Sequence, residues 1–269
     1  MSYYEILGFH KEPFSTSPDP SFFCNIPEHR IILSRMEIAV RQKRGLMVVV
    51  GDIGLGKTTI TRKLVQNFNE EGSYLFHLIL NPAFSSEFQF LNTLIKMFKI
   101  NKIRRSTVDY RQAIQDYLYE MGIEKKKTIV LIIDEGQKLS HEVLEILRIF
   151  LNYETNEYKL LQLIILAQME IMPKIEKMRN FTDRICFKYV LKPVTIEETK
   201  NIINFRLHQA GLENGRKLFT ESAIEKIYNS TGGYLRRIIA LAHNSLERII
   251  MEEKEIVDDI IIDKIIKEG

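Results

Sequence analysis

The run of eight residues that begins at Gly51 constrains this 269-residue chain more than any other part of it. It fits the pattern G-x-x-x-x-G-K-[ST], between a strand-like apolar stretch at 46–50 and helical spacing over 57–68. The glycines let successive backbone N–H groups turn toward phosphate oxygens, the lysine adds a positive charge, and the last hydroxyl can bind Mg²⁺. The pattern therefore predicts a nucleoside triphosphate site made by Gly51, Asp52, Ile53, Gly54, Leu55, Gly56, Lys57, Thr58 and Thr59.

Strand-like and helical stretches alternate as far as Pro193. The apolar, mostly β-branched runs predict strands at 46–50, 74–80, 128–133, 160–166 and 185–191. Periodicity predicts helices at 27–44, 57–68, 86–98 and 107–121, and another that Ser140 caps. Strands alternating with helices predict a three-layer α/β domain with a parallel sheet. The aromatic and turn-forming residues of 1–27 predict irregular structure packed onto a core.

After Pro193 the sequence gives no further strand signal. Thr195 and Glu198 form a capping box that begins a helix, and Gly211 ends it. Helical periodicity continues over 220–231, 234–252 and 257–267. We therefore predict two domains: an α/β nucleotide-binding domain over 1–193, whose segment 1–45 packs near the nucleotide, and a small all-helical domain over 194–269.

Two adjacent carboxylates, Asp134 and Glu135, follow the predicted strand at 128–133. Ligands of a parallel sheet bind at the carboxyl ends of its strands. Asp134 is placed to hold Mg²⁺ through water, which complements the Thr58 hydroxyl. Glu135 is placed to polarise an attacking water, because hydrolysis needs a proton acceptor beside the γ-phosphate. The pair therefore favours hydrolysis of the nucleotide over phosphoryl transfer to a small metabolite.

Composition excludes several classes of protein. Lys and Arg total 38, Asp and Glu total 35, the formal charge is +3, and 45% of residues are hydrophobic. A disordered chain needs lower hydrophobicity and a larger net charge, and no apolar run reaches the ~18–20 residues of a membrane span. The N-terminus lacks the features of a signal peptide, and the two cysteines, Cys24 and Cys186, make no disulfide framework. We therefore expect a folded cytoplasmic protein.

Further segments match a known family in the same order along the chain. They are Tyr4, Phe9 to Phe14, Ser17-Pro18-Asp19-Pro20, Glu28-His29-Arg30, and the stretches 78–82, 133–140, 147–154, 162–168 and 232–239. With the phosphate-binding loop they resemble the AAA+ ATPases, and among these the ExeA- or GspA-type ATPases associated with type II secretion and type IV pili. The wider group includes the TniB, TnsC and MuB regulators of transposition. The resemblance implies that the helical domain is an AAA+ lid and that the nucleotide is ATP with Mg²⁺.

The resemblance also implies roles for residues outside the two motifs. The strand that ends at Gln168 is expected between the strand of the phosphate loop and the strand of Asp134, which makes Gln168 the sensor 1 residue. Asn81 is expected to hold Glu135 in an inactive rotamer until a partner binds. Arg236 matches the sensor 2 arginine that reads the γ-phosphate of its own subunit. Arg184 is our choice for the arginine finger that reaches a neighbouring subunit, and Arg179 is the second candidate.

Two biological settings are compatible with these motifs. The first is a homo-oligomer that assembles with ATP in a secretion or pilus machine, as a cytoplasmic protein or the cytoplasmic module of a membrane-anchored one. The second is an ATP-dependent regulator of transposition that assembles on duplex DNA, to which basic groups at 41–44, 102–105 and 125–127 would contribute. A third possibility is a switch that binds ATP and hardly hydrolyses it.

Overall fold

Five parallel strands form one sheet in this computed structural model, which describes residues 2–17, 19–101, 106–213 and 215–268. The strands are β1 (Leu46–Val50), β2 (Tyr74–Ile79), β3 (Thr128–Ile133), β4 (Leu161–Ala167) and β5 (Ile185–Val190). Their spatial order is β2-β3-β4-β1-β5, so β4 lies between β1 and β3 as the resemblance implied. The parallel sheet confirms the predicted α/β class.

The helices occur where the periodicity placed them, with three short additions. They are α1 (Tyr3–Ile6), α2 (Pro27–Arg41), α3 (Lys57–Asn67), α4 (Glu87–Met97), α5 (Thr107–Tyr119), α6 (His141–Phe150), α7 (Met172–Glu176), α8 (Arg179–Thr182), α9 (Ile196–Ala210), α10 (Glu221–Thr231), α11 (Leu235–Met251) and α12 (Asp259–Glu268). The predicted caps are present: the Ser140 hydroxyl accepts the N–H of Val143 and the Thr195 hydroxyl accepts that of Glu198. The short helices α1, α7 and α8 were not predicted.

The sheet is covered on both of its faces. Leu46, Val48 and Val50 of β1 belong to one buried cluster with residues of α4, α5 and α6. Met47 and Val49 point to the opposite face because side chains alternate along a strand, and they are buried as well. Burial on both faces explains why β1, β3 and β4 read as continuous apolar runs.

The register aligns the carboxyl ends of four strands along one side of the sheet, which we call its carboxyl edge. Val50 of β1 lies opposite Ala167 of β4, and Ile133 of β3 lies opposite both Ile79 of β2 and Ile165 of β4. Asn81, Asp134 and Gln168 follow β2, β3 and β4 at this edge. The sheet therefore places these three predicted site residues after neighbouring strands.

The chain divides into two compact units that are not continuous in sequence. One consists of Ile31–Asp52 and Leu64–Leu191 and contains the sheet; we call it the sheet unit. The other consists of Met1–Arg30, Ile53–Lys63 and Lys192–Gly269, and we call it the helical unit. The predicted domain boundary at Pro193 stays a prediction, but the helical unit also contains the N-terminal segment and most of the phosphate loop.

The N-terminal segment packs onto the core of the helical unit. Phe9, Phe14 and Phe22 are buried with residues of α9, α10, α11 and α12. The buried guanidinium of Arg206 in α9 donates to the carbonyls of Pro13 and Ser15, each at 2.8 Å. Burial lowers the pKa of Arg206 to about 10, so the side chain stays charged at neutral pH. These contacts explain how a segment with little regular structure holds its position.

Candidate active site

The phosphate loop ends at the N-terminus of α3 in the conformation that its glycines permit. Gly54 has φ +83° and Gly56 has φ +93°, a region in which side-chain-bearing residues are strained. A Cβ at Gly54 would also lie 2.8 Å from the Cβ of Arg236. The first helical hydrogen bond runs from the Ile60 N–H to the Gly56 carbonyl at 3.0 Å. Both glycines are therefore required for this backbone shape.

Lys57, Thr58 and Thr59 form the first turn of α3. The N–H groups of a first helical turn have no partner within the helix, and the helix dipole adds positive potential there, so this end suits an anion. Lys57 is only 9% exposed, and the Thr61 hydroxyl donates to the Thr58 carbonyl at 3.0 Å. Backbone N–H groups, an ammonium group and hydroxyls are a donor set that fits phosphate oxygens.

Arg236 lies beside the phosphate loop within the helical unit. It is the second residue of α11, its side chain is exposed, and its backbone N–H donates to the Gly54 carbonyl at 3.0 Å. The turn before α11 depends on Gly233, which has φ +78° and where a Cβ would lie 2.2 Å from the Val194 carbonyl. The structure therefore brings Arg236 and the phosphate loop together.

His29 supports the phosphate loop, a role that the sequence did not suggest. A methyl group at Gly56 would lie 3.6 Å from the His29 Cε1, and the imidazole is hydrogen-bonded to the Leu55 backbone. The ring stacks on Phe23 with centroids 5.8 Å apart. Burial lowers the pKa of His29 to about 4, against smaller opposing effects of Glu198 and Leu55. The imidazole is therefore neutral at pH 7.

We expect this buried imidazole to make stability depend on pH. His29 takes up a proton near pH 6.5 in the unfolded chain and only near pH 4 in the folded chain. Its contribution to the free energy of unfolding is therefore complete above pH 6.5 and is lost as the pH falls toward 4. From about pH 7.5 to pH 5 the loss due to His29 is about 2 kcal/mol. Urea unfolding of wild type and His29→Gln at the two pH values measures this loss. Between pH 7.5 and pH 5 the free energy of unfolding is expected to fall by about 2 kcal/mol less in the variant than in wild type. An equal loss in both proteins contradicts this prediction.

Asp134 and Glu135 are held at the end of β3 by the sheet unit. Asp134 is 7% exposed, and its N–H donates to the Ile79 carbonyl at 2.8 Å. Its Oδ1 accepts the Glu135 N–H at 2.8 Å, and Glu135 itself has φ +55°, a left-handed conformation that is uncommon without glycine. The backbone therefore turns sharply between the two carboxylates. Their oxygens are ligands of the type that Mg²⁺ prefers.

The Glu135 carboxylate is engaged by two residues of the short 3₁₀ helix Gly136–Lys138 that follows it. Gln137 Nε2 donates to Glu135 Oε2 at 2.9 Å, and the Lys138 ammonium lies 3.6 Å from the same oxygen. Gln137 Oε1 accepts the backbone N–H of Gln168 at 3.0 Å, which connects Glu135 to the end of β4. Lys138 donates to Asn81 Oδ1 at 3.3 Å. Asn81 therefore reaches Glu135 through Lys138.

Like His29, Gln137 and Lys138 are site residues that the sequence analysis left without a role. The sequence shows that they follow Glu135 by two and three residues. Only the turn at Glu135 brings their side chains back to its carboxylate. Gly136 allows that turn to approach β4, because a Cβ there would lie 2.5 Å from Ile165 Cγ2 and 3.1 Å from the Leu166 carbonyl. Lys174 also donates to the Gln137 carbonyl at 2.6 Å.

The two arginine finger candidates differ in their surroundings. Arg184 Nε donates to Asn152 Oδ1 at 2.9 Å, and its other guanidinium nitrogens bond to Asn152 and to the Asn180 carbonyl. Arg179 is exposed at the first position of α8. To act on another subunit, Arg184 would first have to leave these partners, whereas Arg179 already faces solvent.

Two of the three basic groups make contacts within the sheet unit. Arg41 forms an ion pair with Glu71 at 2.6 Å, and the Lys43 ammonium lies over the Tyr158 ring. Lys125 pairs with Glu120 at 2.6 Å, and Lys127 donates to the Gly72 carbonyl at 2.7 Å. The third group, 102–105, and Pro18 of the N-terminal motif lie outside the described residues.

In the described ranges, no helix is long and apolar enough to cross a membrane.

Comparison with known proteins identifies relatives across most of the chain. The AAA domain family matches residues 40–175. General secretion pathway protein A of Aeromonas hydrophila is 29% identical over 247 residues, which cover 91% of this chain and 44% of that protein. The chain thus spans less than half the length of this curated relative.

Solved structures with the same fold come from proteins of low identity. The ORC2 protein of Aeropyrum pernix has a TM-score of 0.69 at 16% identity, over 97% of this chain and 72% of its own. Cdc6p of Pyrobaculum aerophilum has a TM-score of 0.69 at 17% identity, and the match covers 91% of this chain and 67% of Cdc6p. The RuvB Holliday junction branch migration motor of Thermotoga maritima has a TM-score of 0.60 at 17% identity, over 88% and 67%. At these identities the likeness supports the fold alone.

Proposed function

Because the chain belongs to the AAA domain family of P-loop ATPases, we propose that it binds and hydrolyses ATP and uses the nucleotide state to control its own assembly. The observation that carries this proposal is the contact between the Gly54 carbonyl and the Arg236 N–H. A change in the phosphate loop on nucleotide binding is passed by this hydrogen bond to α11. The helical unit thereby responds to the nucleotide.

The residues of the site divide the work of binding and hydrolysis. Lys57 and the N-terminus of α3 hold the β- and γ-phosphates, and Arg236 contacts the γ-phosphate through its exposed guanidinium. Thr58 and, through water, Asp134 would hold Mg²⁺, which would neutralise phosphate charge. Glu135 accepts a proton from the attacking water. Gln168 orients the γ-phosphate and that water.

The bonds of Glu135 support an inactive resting state in this proposal. Gln137 and the Lys138 ammonium already occupy Glu135 Oε2, so this oxygen has to leave them before it can bond to an attacking water. We propose that assembly rearranges Gln137 and Lys138 and supplies an arginine from the neighbouring subunit. The sequence analysis placed Arg184 first and Arg179 second, and the hydrogen bonds of Arg184 to Asn152 and Asn180 now lead us to favour Arg179.

A secretion or pilus machine is the setting that we favour, since the similarity to general secretion pathway protein A covers 91% of this chain. The ATPase would act there as a cytoplasmic homo-oligomer or as the cytoplasmic part of an anchored protein. Duplex DNA is the alternative partner. The ion pairs of Arg41 and Lys125 leave less free positive charge for a phosphate backbone. A salt-dependent shift of duplex DNA that requires ATP would reverse this preference.

Removal of the Lys57 ammonium tests nucleotide binding and assembly together. Lys57→Ala is expected to lose ATP affinity by about 100-fold or more, because each charge-assisted bond to phosphate contributes about 1.5–3 kcal/mol and Lys57 makes more than one. Fluorescent nucleotide titration measures the affinity, and sedimentation with and without ATP measures assembly. Lys63→Ala, farther along α3, is the control. Unchanged affinity in Lys57→Ala would refute the assigned site.

Mixed oligomers test the arginine from the neighbouring subunit. Arg179→Ala and Arg184→Ala are each combined with Lys57→Ala under conditions that permit assembly. A subunit without Lys57 cannot hydrolyse ATP but still offers its arginine, so partial ATPase activity is expected to return for the variant that lacks the true finger. Phosphate release measures the activity. If neither mixture exceeds the sum of its separate components, hydrolysis does not use either arginine in this way.

A further inference from the structure

The strand β2 forms an open edge of the sheet within the described part of the chain. The carbonyls of Ser73 and Ile79 accept from the N–H groups of Thr128 and Asp134, so these residues direct their backbone groups toward β3. Backbone groups of a paired parallel strand alternate in direction, and Phe76 and Leu78 therefore direct theirs outward. An outward row of this kind is a template for a further strand.

Among the described residues, the strand at this edge carries no lysine or proline to oppose pairing. Edge strands commonly carry lysine, proline or a bulge, yet β2 reads Tyr-Leu-Phe-His-Leu-Ile. Leu78 is 43% exposed, and Leu80 just beyond the strand is 55% exposed. Both side chains point to the face opposite that of Leu75 and His77. One face beside the edge is thus apolar and accessible.

A groove of about 870 Å³ lies beside the edge on the other face. Its floor is apolar and includes Leu75, Met97, Phe98 and Tyr117, with Phe98 and Tyr117 stacked at 4.8 Å between centroids. His77 also lines it, and its buried Nε2 has no hydrogen-bond partner among the described residues.

The rim of the groove carries more negative than positive charge among its described residues. The acidic residues are Asp109 and Asp116 of α5 and Glu120, which directly follows α5, and the basic residues are Lys99 and Lys125. Lys125 is already paired with Glu120 at 2.6 Å. The Asp116 carboxylate is exposed and, among the described residues, accepts from Gln112 alone. Asp109 accepts from the Ser106 hydroxyl. A carboxylate has room for more than one donor, so Asp109 and Asp116 can both meet positive charges on a ligand.

We propose that the β2 edge and this groove form a docking site for an extended segment of a partner protein in which apolar and basic residues alternate. Such a segment adds a sixth strand beside β2 at ~4.8 Å, and its side chains alternate between the two faces. Apolar residues cover Leu78 and Leu80. Lysine or arginine stems cover the apolar floor, and their charged ends reach Asp109 and Asp116. The site needs no nucleotide, so it stands apart from the proposed ATPase cycle.

A defined peptide tests this site on the full chain without nucleotide. The probe is a fluorescent, end-capped peptide of about eight residues in which valine and lysine alternate. Fluorescence anisotropy is expected to show binding that weakens about tenfold in Asp116→Lys, where attraction becomes repulsion. The control is Glu225→Lys, the same charge change on an exposed helical position outside the groove. The alternating valine–glutamate peptide is expected not to bind.

Leu78→Pro tests the backbone part of the site. Proline removes an N–H that points away from β3, so the ladder to β3 is kept and about tenfold weaker peptide binding is expected. Thermal unfolding checks that the variant is folded, and if it is not, Asp116→Lys decides. Three results would each overturn the proposal. The first is equal binding of the peptide to wild type and both variants, and the second is tighter binding of a peptide with the same residues at helical spacing. The third is self-association of the chain that Leu78→Pro abolishes.

Discussion

Glu135→Gln is expected to bind ATP as tightly as wild type and to hydrolyse it about 100- to 10,000-fold more slowly, the range that a positioned general base contributes. The amide has nearly the shape of the carboxylate but cannot accept a proton from water. Steady-state phosphate release measures hydrolysis, and nucleotide titration measures binding. Loss of hydrolysis with retained binding would separate the chemistry of Glu135 from the phosphate contacts of Lys57.

The control is Glu142→Gln, an exposed carboxylate in the first turn of α6. A further variant, Gln137→Ala, removes the donor that bonds to Glu135 and the acceptor of the Gln168 N–H. Because this residue positions Glu135, its loss is expected to change kcat while ATP affinity is kept. Turnover in Glu135→Gln equal to that of wild type would assign proton acceptance to another group.

The sheet was predictable because its strands are buried on both faces. Continuous apolar runs at β1, β3 and β4 require cover on each side, and that requirement leads directly to a three-layer fold. The long helices were predictable because Ser140, Thr195 and Gly211 mark their ends. Helices of four or five residues, such as α1, α7 and α8, are too short for periodicity to reveal.

The packing of the N-terminal segment could not be read from local patterns. Its aromatic residues predicted contact with some core, and the structure identifies that core as α9 to α12. Its contacts are made by Phe9, Phe14 and the carbonyls that Arg206 binds. These residues lie about two hundred positions from their partners, and Pro13 and Arg206 are 193 positions apart. Pairing over such a separation is a property of the folded chain.

The site was partly predictable for a comparable reason. The phosphate loop has a local pattern in which every glycine, lysine and threonine has a chemical purpose. The roles of His29, Gln137 and Lys138 depend on where their side chains lie after folding. Asn81 illustrates the difference, because the resemblance implied an effect on Glu135 and the structure shows Lys138 between them. Its role as a switch stays a prediction.

A single methyl group added at Gly136 of the sheet unit is expected to have a large effect. In Gly136→Ala the new Cβ would lie 2.5 Å from Ile165 Cγ2 and 3.1 Å from the Leu166 carbonyl, both part of the buried strand β4. Relief requires β4 or the turn at Glu135 to move, and overpacking of this kind costs about 1–3 kcal/mol. Urea unfolding measures this cost, and phosphate release is expected to fall with it because the same turn orients Glu135.

Gly72→Ala is the matched control, since a Cβ there would meet nothing within 4 Å. The cause of the effect can be isolated by adding Ile165→Ala, which removes the Cγ2 atom that the new methyl group would strike. The double variant is expected to lose less stability than the sum of the two single variants, because each change makes room for the other. Additive losses would mean that the methyl group acts elsewhere. A non-additive gain in stability together with recovered ATPase activity would link the packing of β4 directly to the orientation of the catalytic carboxylate.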